Sequence, residues 1–226
     1  MRYWWFTLAF IIGFVALAPA RATTTSQLIP SIFATSAPSL NGAGWATCPT
    51  PVTWSVDDSR LRPRQQVREE ARLQHALNSW GAVTGLQFAF TGRTQLRYDA
   101  SSTQLIDPEH PEEQPRHILI AFLPQSTSPL MAGNGLGFAS PSAADANSGE
   151  ILNGKIVLRL DHVRRNSRTA PRELESLYLH ELGHIMGLTH ASRAQDLMAP
   201  IVTTNTTISE LDIRSVQQFM KPCSSS

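Results

Sequence analysis

Residues 180–190 read His-Glu-Leu-Gly-His-Ile-Met-Gly-Leu-Thr-His, and this stretch leaves the chain little freedom. His180 and His184 stand four apart, so on a helix both project from one side and reach a common point. Glu181 is rotated by about 100° around the same axis, placing it beside that point without ligating what sits there. Gly187 can end the helix, because glycine takes left-handed backbone angles at little cost. Past it the chain can swing back and bring in His190. Three neutral imidazoles with a fourth position open to water describe a catalytic rather than a structural zinc, with Zn–N bonds of about 2.0–2.1 Å. With 7 His and 13 Gly in 226 residues, chance would give this pattern about 10⁻⁵ times in such a chain. The reading as ordinary surface histidines is therefore set aside.

Around this motif the sequence predicts alternating strands and helices. Residues 52–56 (Val-Thr-Trp-Ser-Val) are β-branched and aromatic, as a strand is. Pro63 opens a helix whose stripe of Leu73, Ala76, Leu77, Trp80 and Val83 faces a core, and Gly85 ends it. Off that stripe, His75 is expected to face solvent. Strands follow at 86–90, 117–123, 136–140 and 156–160. Pro171 begins the helix that carries the histidines, with Leu174, Leu177, Tyr178, Leu182 and Ile185 on its apolar face. The stretch 107–116 gathers Asp107, Glu109, His110, Glu112 and Glu113 among prolines. It reads as a solvated, proline-stiffened loop, since no ligand spacing supports a calcium or zinc site there.

At the N-terminus, Arg2 precedes an apolar run from Trp4 to Ala18 and then Pro-Ala-Arg-Ala. A charged start, a short greasy run and small residues at a cleavage point describe a secretory signal peptide over 1–22. The run falls short of the ~20 residues a membrane span needs. Residues 23–44 are rich in Thr, Ser, Ala, Pro and Gly and read as a flexible leader or short pro-segment. A metallopeptidase-type domain is expected over 45–223. Hydrophobic residues make up 42% and charged residues 16%, enough for a globular core. The net charge of +1 comes without a basic block, which argues against nucleic acid as a partner. Arg164 and Arg165 are placed in a surface loop.

The eleven residues from His180 match the HExxHxxGxxH signature of the metzincin metalloproteases. Met198, in Asp-Leu-Met-Ala-Pro at 196–200, looks like the Met-turn that lies beneath their zinc. Its distance from His190 resembles that of the matrixin branch, the matrix metalloproteinase type. Residues 209–217 are similar to the matrixin C-terminal helix, with Ser209 and Asp212 spaced as a capping box. Residues 135–139 (Gly-Leu-Gly-Phe-Ala) resemble its upper-rim strand. The resemblance runs over about 45–221. There are departures: Ala191 stands where matrixins usually carry serine, and Val202 where many have a tyrosine in the S1′ wall. The cysteine-switch motif is absent, and no second, structural zinc pattern is visible at His110, His117 or His162.

The resemblance implies an α+β fold of the metzincin (zincin-like) type: a twisted, mixed five-stranded sheet with an active-site helix and a C-terminal helix. It implies a secreted (extracellular or periplasmic), monomeric zinc metalloendopeptidase acting on polypeptides. One catalytic Zn²⁺ is held by His180, His184 and His190, a zinc-bound water attacks, Glu181 is the general base, and Met198 packs below. Calcium is left open as a further ion. The rival classes are another metzincin branch, astacin- or adamalysin-like, and a non-catalytic peptide-binding module on the same fold. Export favours a Cys48–Cys223 disulfide. The competing reading makes Cys48 a thiolate that closes the fourth zinc position in a zymogen.

Overall fold

The computed structural model describes residues 29–30, 43–110 and 114–223. The signal-peptide region 1–22, nearly all of the leader, and Glu112 and Glu113 lie outside these residues. The elements in chain order begin with β1 (Ile29–Pro30), β2 (Val52–Asp57), α1 (Pro63–Thr84), β3 (Phe88–Arg93), β4 (Arg97–Asp99) and β5 (Gln104–Ile106). They continue with β6 (His117–Leu123), β7 (Gly137–Ala144), β8 (Ile151–Arg159), α2 (Leu160–Thr169), α3 (Pro171–Ile185), β9 (Ile201–Val202) and α4 (Glu210–Phe219).

Five strands form the main sheet in the order β3-β2-β6-β8-β7. The first four run parallel, and β7 is antiparallel to β8 at one edge. With the helices this is the mixed α+β architecture that the resemblance implies. Alternation along the strands sends Ile118, Ile120, Phe122, Ile156 and Leu158 to one face, where α1 and α3 cover them with Leu73, Leu77, Trp80, Leu174, Leu177 and Leu182. Ala121, Leu123 and Val157 emerge on the other face, under Leu105 and Met131.

Local signals place the helix ends. Pro63 occupies the first turn of α1, and Gly85 closes it at φ 78° with its N–H on the Gly81 carbonyl. In α4 the hydroxyl of Ser209 accepts from the Asp212 N–H, and the Asp212 carboxylate accepts from the Ser209 N–H, a complete capping box. Arg164 and Arg165 lie in α2 rather than in a loop. Asp161 in its first turn takes the Arg159 guanidinium at 3.0 Å, and Arg165 reaches the same carboxylate one turn on.

The two ends of the domain meet. Ala46 bridges Lys221, with Thr47 N–H on the Lys221 carbonyl at 2.9 Å and Lys221 N–H on the Trp45 carbonyl at 3.0 Å. Beside this contact Cys48 and Cys223 form a disulfide. A sulfur so engaged is not available to a metal, so in this structure the thiolate reading gives way to the staple. On the opposite flank of the molecule's chain order, β1 pairs antiparallel with β9, Ile29 opposite Val202.

Candidate metal centre

Helix α3 carries His180, Glu181 and His184 inward, and all three are buried. It is anchored at both ends of the motif by tryptophans. Trp80 Nε1 donates to the Leu179 carbonyl at 2.9 Å, just before His180, and Trp45 Nε1 donates to the Ile185 carbonyl at 2.9 Å, just after His184. Neither indole was legible as a functional residue, because its partner lies about a hundred or more positions away in sequence. After Ile185 the helix ends, and Gly187 turns the chain at φ 93°. A side chain there is strained by that angle and would also press within 2.7 Å of the Ala43 carbonyl.

The turn delivers His190 to the other two rings. Ring centroids lie 4.7 Å (His180–His184), 5.3 Å (His180–His190) and 5.1 Å (His184–His190) apart. One nitrogen from each lies within 4.8 Å of the others. Among the described residues this is the group of three or more potential ligands that converges in this way.

Hydrogen bonds fix the tautomers. His180 Nδ1 lies 2.8 Å from the Leu197 carbonyl and His184 Nδ1 2.8 Å from the Leu188 carbonyl. A carbonyl only accepts, so each Nδ1 carries the proton and each neutral ring turns a bare Nε2 lone pair outward. Those two Nε2 atoms face each other at 3.0 Å. Two lone pairs at that distance repel unless a cation lies between them. The donor set therefore fits a divalent metal, and three imidazoles without thiolates or a carboxylate ligand suit zinc.

Burial pushes His180 and His184 down, the second well below the ordinary imidazole range with His180 and His190 adding to the effect. His190 falls to about 4, through burial first and His180 second. All three are thus neutral, as ligands must be. Glu181 is fully buried, its two carboxylate oxygens make no hydrogen bond, and burial pushes it up to about 8. A buried carboxyl without a partner is costly, and a dication beside it would restore the carboxylate form.

Two further glycines make room for this centre. A Cβ on Gly137 in β7 would stand 2.9 Å from Glu181 Oε1. A Cβ on Gly183 would stand 2.3 Å from Met198 Sδ. Met198 therefore packs directly against the bare backbone between the two helical histidines. Its own carbonyl accepts from Ala191 N–H at 2.7 Å, tying the segment beneath α3 to the residue after His190. The x-x positions of the motif and the strand glycine were the only sequence traces of these contacts.

His110, His117 and His162 stay apart from this centre. His117 sits between the hydroxyls of Thr53 (2.7 Å) and Ser55 (2.9 Å). His162 faces Glu173 at 3.2 Å, and His110 sits 3.3 Å from Asp107. His75 is on the surface beside Glu175.

Comparison with known proteins agrees with this geometry. The chain is similar to metalloendoproteinase 2-MMP of Arabidopsis thaliana, with 26% identity over 144 residues, or 63% of this chain and 34% of that protein. It thus spans about a third of the length of that relative. The family model described as Matrixin, peptidase family M10, matches residues 44–221. The chain belongs to the matrixin family of metalloendopeptidases.

Proposed function

We propose that this chain is a secreted zinc-dependent endopeptidase that hydrolyses internal peptide bonds of polypeptides, with His180, His184 and His190 as the metal ligands and Glu181 as general base. The observation that carries this reading is the pair of deprotonated Nε2 atoms facing at 3.0 Å beside a buried carboxylate without a partner. A peptide-binding module has no use for that carboxylate.

What a zinc ion supplies there is Lewis acidity, which acidifies water and polarises the scissile carbonyl. The chain's own groups do the rest. Among the described strands β7 pairs only with β8, so its outer edge offers main-chain N–H and C=O groups to an extended substrate. Gly137 on that strand sets the substrate's backbone close to Glu181. Glu181 takes a proton from water as the water oxygen bonds to the carbonyl carbon, then passes it to the amide nitrogen as the C–N bond breaks. Met198 supports the histidines from below and transfers no proton.

Residues 1–22 act as an export signal in this reading, and the disulfide suits an oxidising compartment. The pairing of Ile29–Pro30 with Ile201–Val202, just beyond Met198, supports a pro-segment over 23–44. Casein cleavage by the secreted chain tests the proposal. Activity should vanish with a zinc chelator and return with zinc; cleavage indifferent to chelation, or none with zinc bound, refutes it.

A further inference from the structure

The sequence carries no basic block, but the fold assembles one. The first turns of α1 and helix α2 are about a hundred positions apart in the chain and lie side by side. Gln65 Nε2 donates to the Arg164 carbonyl at 3.1 Å, Arg68 Nη1 to the Ser167 hydroxyl at 2.9 Å, and the Arg164 guanidinium to the Arg60 carbonyl. Helix α2 turns Leu160, His162, Val163 and Ser167 inward. Its outer side carries Arg164, Arg165 and Arg168, all exposed. On α1, exposed Arg64 and half-buried Arg68 stand one turn apart beside Gln65, and exposed Arg172 opens α3.

The carboxylates nearby are already engaged. Glu69 is buried and accepts from Arg72, Ser167 and Tyr178. Glu70 pairs with Arg93, Asp161 with Arg159 and Arg165, and Glu173 with His162. Among the described residues, Arg64, Arg68, Arg164, Arg168 and Arg172 have no carboxylate within ion-pair distance. In a chain of net charge +1 this is a local concentration of guanidinium groups, whose planar forks pair with two oxygens of a sulfate or carboxylate. They repeat at each helical turn, about 5.4 Å, so the surface matches a line of anions better than a single one. Of the exposed large hydrophobic side chains among the described residues, only Val67 lies on these helices. The surface thus has no ring to stack a base and too little apolar area to enter a bilayer.

We propose that this two-helix arginine surface binds an acidic polysaccharide, whose sulfate or carboxylate groups lie along Arg64, Arg68, Arg164 and Arg168. Arg172, near the start of α3, is twelve residues and about 18 Å of helix from His184 at its other end. The bound polymer therefore tethers the chain and leaves the histidine cluster open. The preference for a polysaccharide over a nucleic acid rests on the export reading of residues 1–22; the surface itself does not depend on the zinc reading.

The test is fluorescence anisotropy of fluorescein-labelled heparin with the secreted, zinc-loaded chain at about 50 mM salt, and uncharged dextran of equal length as control. Heparin should bind and be released as salt rises, and dextran should not bind. Arg164→Gln with Arg168→Gln should weaken heparin binding at least about fivefold. Arg97→Gln with Arg214→Gln, an equal loss of charge at exposed positions elsewhere, should change it less than about twofold. Hydrogen exchange of the wild-type chain should slow over 62–68 and 164–172 when heparin is added, which decides the matter even if a variant does not fold. Equal weakening by the two pairs, protection confined to other segments, or tighter binding of a DNA duplex or of anionic phospholipid vesicles than of heparin would overturn the proposal.

Discussion

Replacing both Cys48 and Cys223 by serine should cost this domain about 5 kcal/mol. The bond joins residues separated by 175 positions. In the chain-entropy model a loop of that length removes about 17 cal/mol/K from the unfolded ensemble, which is about 5 kcal/mol at 25 °C. The folded state should change little, because Thr47 and Lys221 exchange backbone hydrogen bonds with the opposite end regardless of the sulfurs. Trp45 would still hold the Ile185 carbonyl. With a urea dependence of about 2 kcal/mol per molar, the unfolding midpoint should drop by about 2.5 M. Tryptophan fluorescence in urea reads this directly, since Trp45, Trp54 and Trp80 are all fully buried. A drop below about 0.5 M would refute the argument, because the staple would then contribute little beyond the contacts already made.

Two more outcomes follow from single side chains. Gly137→Ala places a methyl group 2.9 Å from Glu181 Oε1, so cleavage should fall at least about tenfold while bound zinc, measured by atomic absorption, stays unchanged; parallel loss of metal would contradict this. His162 has its pKa lowered to about 4 by burial first, then by Arg165 and Arg159, against Asp161. The unfolded chain takes up a proton near the ordinary 6.5 and the folded chain does not. Stability from neutral His162 is therefore present above pH 6.5 and lost as pH falls toward 4, by about 3 kcal/mol at most. His162→Gln should flatten the stability–pH profile across that window, and identical profiles for the two chains would refute the assignment.

The site was legible because its information is local. A spacing of four, a glycine and a third histidine sit within one helix and its exit, so periodicity alone brings the rings together. Pro63, Gly85 and the Ser209–Asp212 box were legible for the same reason. The hairpin of β4 and β5 was not, since three-residue strands carry almost no period. Strand β8 extends to Ile151, ahead of the expected start, because Asn153, Gly154 and Lys155 read as loop residues. They belong to a strand in which Gly154 faces Ile185 in the helix layer and its two polar neighbours face the other side of the sheet. Helix α2 was hidden by a polar sequence with Arg164 and Arg165, whose order depends on Asp161 and on contacts with α1. Arg68 and Arg72 of α1 reach the Ser167 carbonyl, a pairing no local pattern announces.

In the proposed mechanism different side chains hold the metal and move the proton, and zinc content measured together with peptide cleavage tests that division in two variants. Glu181→Ala should keep one zinc per chain while cleavage falls by about 10²–10⁴-fold, and His184→Ala should lose the zinc itself. Cleavage by Glu181→Ala near the wild-type rate, or His184→Ala that keeps both full zinc and activity, would contradict the account.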